Sequence, residues 1–76
     1  MSENMFSYDR TWEEIEVMLQ EAKARQNQWR MHYDRCKDKS DRDGMKDAAR
    51  NHKALEGVIK TLKWVCGDGD VKHPLN

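Results

Sequence analysis

Three side chains have the right chemistry to ligate zinc. His32 and Cys36 stand one helical turn apart, and a reversal of the chain could bring His52 beside them. No C-x-x-C or H-E-x-x-H spacing accompanies them, so a packed cysteine and two ordinary histidines explain them better, and no metal site is assigned. Asp41, Asp43 and Gly44 have the outline of a calcium loop. Its first position, however, is Lys39 and its twelfth is Arg50 in place of glutamate, so two essential ligands are missing. Cys36 and Cys66 would need a neighbouring base and an oxyanion site to act as nucleophiles. Both fall on an apolar helical stripe, where burial keeps a thiol inert. The D-G-D of residues 68–70 is not a phosphate loop. The expectation is a protein without catalytic residues and without a cofactor.

Charge offers a different chemistry. Arg25, Arg30, Arg35, Lys37 and Arg42, with Lys39, Trp29 and Tyr33 among them, could contact nucleic acid or another anion. Asp34, Asp38, Asp41, Asp43 and Asp47 are interleaved and would repel phosphate, so a solvated helix face is the competing reading. A small anionic ligand held between helices by His32, Arg25 or Arg30 is a further alternative.

The element that must position these groups is the stretch Thr11–Lys37. At steps of three and four it reads Trp12, Ile15, Leu19, Ala22, Gln26, Trp29, Tyr33 and Cys36, which is a helix with one narrow seam. Thr11 followed by Glu14 is a capping box, and Glu13, Glu14 and Glu16 suit the positive end of the helix dipole. The sequence predicts a helix over 11–38, a turn over 39–41 and a second helix over 41–66. Ser40 with Asp43 reads as the second capping box. The second seam is Met45, Ala48, His52, Leu55, Ile59, Leu62 and Cys66, and Gly67 ends it. Residues 1–10, with Met5, Phe6 and Tyr8, read as a flexible arm, and 68–76 as a polar tail.

Two helices of similar length joined by a short polar turn predict an all-α antiparallel hairpin. Folding near residues 40–41 pairs Cys36 with Met45, Tyr33 with Ala48, Trp29 with His52, Ala22 with Ile59, Leu19 with Leu62 and Ile15 with Cys66. Large residues then face small ones, and the polar pair Gln26 and His52 falls in adjacent layers, where it would fix register.

The chain has 76 residues, of which 37% are hydrophobic and 37% charged, so its core must be thin and a second subunit is expected to supply further burial. A second stripe runs beside the seams: Val17, Met18 and Met31, then Ala54, Gly57, Val58, Thr61 and Val65. Gly57 costs about 0.5–1 kcal/mol inside a helix and could admit a close neighbouring backbone. Trp12, Met18, Gly57, Val58 and Trp64 are therefore the expected contacts of a homodimeric four-helix bundle or of a protein partner. The net charge is zero, yet residues 1–21 carry one base and six acids while 22–53 carry ten bases and five acids, an asymmetry that would orient two copies antiparallel. No charged-then-apolar leader and no membrane-length apolar run is present, so a cytoplasmic setting is expected.

The short charged hairpin of residues 11–67, ending in L-K-W-V-C-G-D before a polar tail, is similar in style to small phage-encoded accessory proteins of unassigned role. That resemblance implies a protein that binds and modulates a host factor, and it transfers no site residues.

Overall fold

A computed structural model describes residues 9–75. They form two helices, α1 (Trp12–Asp38) and α2 (Arg42–Val65), packed along their lengths as a hairpin, with no strand among the described residues. The expected arm residues Met5, Phe6 and Tyr8 lie outside the described part.

Local chemistry sets where α1 begins. The Glu14 amide donates to Thr11 Oγ1 at 3.1 Å, and the Thr11 amide donates to Glu14 Oε1 at 3.0 Å, completing the capping box. The Thr11 amide and, at 3.3 Å, the Thr11 hydroxyl both donate to the Glu14 carboxylate and favour its charged form, so Thr11, helped by Arg10 at 3.5 Å, holds the Glu14 carboxyl below its ordinary range. A depressed carboxylate stabilises the fold fully above its unfolded pKa and loses that contribution as pH falls through the folded value.

The turn departs from expectation. Ser40 does not cap α2. It adopts the left-handed conformation, with φ at 57°, and terminates α1. The Ser40 amide donates to the Lys37 carbonyl at 3.1 Å and the Asp41 amide to the Cys36 carbonyl at 2.8 Å. This is the double bond of a Schellman ending, with serine in the place usually held by glycine. Asp41 then serves as the cap of α2, accepting from the Gly44 amide at 3.0 Å. No residue is spare between the two helices, which is why the cap moves one position past Ser40. At the far end Gly67 (φ 80°) repeats the Schellman pattern, with its amide on Trp64 and that of Asp68 on Lys63.

Gly44 lets the second helix start so close to the first. A β-carbon there would meet Cys36 Sγ and an Asp41 carboxylate oxygen, each at 2.5 Å. From this pivot the seam runs outward. Cys36 and Ala48 are buried near the turn, and Leu19, Ala22 and Ile59 form the core farther along, flanked by Leu55 and Leu62. Ala22 beneath Ile59 matches the pairing read from the sequence. Gln26 Nε2 donates across the seam to the His52 carbonyl at 3.5 Å, which ties the two polar layers together.

The ends of the seam differ from the pattern. Cys66 is exposed, because α2 closes at Val65 and leaves the thiol on the cap. Ile15 instead shares a shallow cleft with Leu62 and Met18. Trp12 has no residue of α2 over it and is 64% exposed. Near the turn it is His32 that tucks in, edge-on to Trp29 with ring centroids 5.7 Å apart, while Tyr33 lies at the surface.

Two substitutions probe the turn. Ser40→Gly removes the cost of a side chain in the left-handed region and is expected to raise stability by about 0.5–1 kcal/mol in urea unfolding followed by circular dichroism. Gly44→Ala is expected to lower it despite alanine's better helix propensity. Combined with Cys36→Ala it should cost less than the two single changes summed, because the contact with Sγ has gone and only that with the Asp41 carboxylate is left.

Candidate interaction surface

The five buried residues of the described chain are Leu19, Ala22, Cys36, Ala48 and Ile59, so most large apolar side chains are left in solvent. Helical geometry sorts those outside the seam. On α2, Ala54, Gly57, Val58, Thr61, Trp64 and Val65 recur at intervals of three and four, a strip running from one flank to the outer face. Met18 of α1, 54% exposed, stands on the same flank as Val58, 43% exposed. Val17 and Met31, two heptads apart, lie on the outer face of α1, away from both. Trp12 stands by itself at the open end of the hairpin.

Gly57 is the one position in this strip that the hairpin does not explain. A β-carbon on it would meet nothing within 4 Å, and its carbonyl also accepts a hydrogen bond from Thr61 Oγ1 at 3.0 Å. The isolated hairpin therefore carries the cost of a helical glycine with no steric return inside the chain.

The bases separate by face. Arg30 borders an open cleft with Lys53, floored by Ala48 and Ala49 and edged by Tyr33. Lys23, Gln26 and Asn27 line its continuation. Lys37 follows Arg30 by seven residues and so stands in the same row, and Arg42 precedes Lys53 by eleven, about three turns. Arg25 and Arg35 are each five residues from Arg30, about 140° around the helix, and belong to the other side. The structure thus groups three of the five expected anion contacts and parts two from them. Lys23, Lys46 and Lys53 were absent from the expected set, although their heptad spacing to Arg30, Lys37 and each other was there to be read.

His32 Nε2 lies 3.6 Å from Cys36 Sγ, and Cys36 is only 5% exposed. Among the described residues no group of three or more His, Cys, Asp or Glu side chains could hold a metal ion. The clefts that Arg30 borders are lined by neither His32 nor Arg25, so these three residues do not converge on one cavity. Among the described residues no helix is long and apolar enough to cross a membrane.

No protein-family model matches this chain, and neither a curated protein nor a solved structure does.

Gly57→Ala separates two roles for the strip. If its face is only solvated, the variant is expected to gain about 0.5–1 kcal/mol in thermal or urea unfolding. If another helix packs there, the added methyl is expected to weaken self-association in sedimentation equilibrium, and stability should fall at concentrations where the wild type associates.

Proposed function

We propose that the protein is a non-catalytic protein–protein interaction module that works as a homodimeric four-helix bundle. In this reading two hairpins join along the flank of Met18, Val58 and Val65, with Gly57 and Ala54 permitting close approach. The observation that carries it is the pairing of a thin intramolecular core with a helix-length strip of exposed small and apolar side chains on one side. A core of that size leaves a short hairpin close to marginal, and burying the strip adds stability at about 25 cal/mol per Å² of apolar surface. Dimer formation leaves Trp12 and, on the outer face of α1, Val17 and Met31 for a further protein partner. The assembly would then act as an inhibitor or adaptor of a larger machine, as the likeness to phage accessory proteins implies.

The acidic and basic halves of the sequence would set two copies antiparallel. Exposed ion pairs contribute about 0–1 kcal/mol each, so they choose orientation while the apolar strip supplies affinity.

Light scattering coupled to gel filtration tests this directly. The wild type is expected at twice its 9.0 kDa chain mass, and Val58→Glu and Met18→Glu are expected to shift it towards the monomer with a lower melting temperature. A wild type of single-chain mass at high micromolar concentration would overturn the proposal.

A further inference from the structure

The side of the hairpin away from Met18 and Val58 carries the second feature. Exposed Lys23, Arg30 and Lys37 recur every seven residues along α1, about 10.5 Å apart, and exposed Arg42, Lys46 and Lys53 run along α2. Arg30 and Lys53 face each other across the open cleft, and Tyr33 stands at its edge with Gln26 and Asn27 in its continuation.

We infer that this cleft is a contact surface for a single nucleic-acid strand, whose phosphodiester backbone the two basic rows would track. Non-specific strand binding needs a positively charged groove, amide or hydroxyl donors, and at least one aromatic face on which a base can stack. The rows, Asn27 and Gln26, and Tyr33 supply these in turn. The carboxylates sharing or bordering this side are Glu13, Glu16, Asp34 and Glu56. Glu56 pairs with Lys53 at 3.3 Å, but both side chains are well exposed and such a pair yields readily to phosphate. Arg30 Nη2 donates to Asn27 Oδ1 at 2.8 Å, which steadies the guanidinium over the cleft.

Shape and composition choose among polyanions. Packed helices have axes about 8–10 Å apart, so the cleft between them admits one strand and not a duplex. A membrane surface would need large apolar side chains below the bases. Met18, Val58 and Val65 instead stand on the opposite flank. An acidic protein segment would use the rows but leave the tyrosine face idle. The surface does not depend on dimer formation, and a dimer joined along the Met18 and Val58 flank leaves it open.

Fluorescence anisotropy with labelled oligo(dT) over a series of KCl concentrations tests the assignment on the full chain. Binding is expected at low salt, with log affinity falling by about 0.7 per phosphate contact for each log unit of salt. Arg30→Glu and Lys53→Glu should each weaken binding about tenfold. Tyr33→Ala should weaken it by about tenfold and Tyr33→Phe should restore it, since stacking needs only the ring. Arg25→Glu and Arg35→Glu, equal in charge but on the other side, should have the smaller effect. The four charged positions are exposed, so circular dichroism should show unchanged helix content there, and for Tyr33, which is 36% exposed, the same measurement separates lost stacking from lost fold. The inference is overturned by no binding at low salt, by equal losses at Arg25 and Arg35, or by polyglutamate, anionic vesicles or a duplex competing better than the strand. Chain mass measured on the same variants reports dimer formation separately.

Discussion

Everything in this hairpin follows from the absence of spacer at its turn. Asp41 donates its amide to close α1 and, with its carboxylate, opens α2, so the two helices share a residue at their junction. With so little freedom, the phase of the second helix against the first is set by one left-handed serine and one glycine. Ser40 reverses the chain and Gly44 allows the first turn of α2 to lie against Cys36. Shifting either would rotate α2 and exchange which of its faces meets α1.

That phase determines what is buried and how little. Alanines occupy two of the five buried positions, at Ala22 and Ala48, and they let the helices come close while contributing small apolar area. Close approach and a thin core are thus the same fact. What stability the hairpin has leans on its ends: the capping box at Thr11, the aspartate cap at Asp41 and the paired Schellman closures at Ser40 and Gly67. Each satisfies backbone groups that a helix end otherwise leaves to water. The Gln26 bond to the His52 carbonyl adds direction more than energy, since it is satisfied in one register.

The same phase divides the surface. One flank carries Met18 and the small and apolar strip of α2, with Arg25 and Arg35 beside them, and the other carries Lys23, Arg30, Lys37, Arg42, Lys46 and Lys53. A chain with zero net charge thereby shows two unlike sides, and the proposed self-association and strand binding would use different ones without competing. The polar side lacks large apolar side chains apart from Tyr33, while Met18, Val58 and Val65 give the other flank its apolar contact beside Arg25 and Arg35, so the two sides suit different kinds of partner.

Wherever a structural outcome rests on residues within one turn of each other, the sequence alone determined it. The capping box of Thr11 and Glu14, the stop at Gly67 and the two-helix class belong here, because hydrogen bonding at i and i+3 and seam periodicity are local properties. The pairing of Ala22 with Ile59 was legible for another reason: a short turn leaves an antiparallel register little choice. The tertiary structure decided what depends on two helices at once. It moved the second cap from Ser40 to Asp41, exposed Cys66 and Trp12 at the seam's unmatched ends, gave Gly44 its reason, and set Arg30 and Lys53 on one cleft. A sequence places residues around one axis, but which of them meet, or share a face, depends on how the second axis is turned against the first, and that angle is settled only when the turn closes.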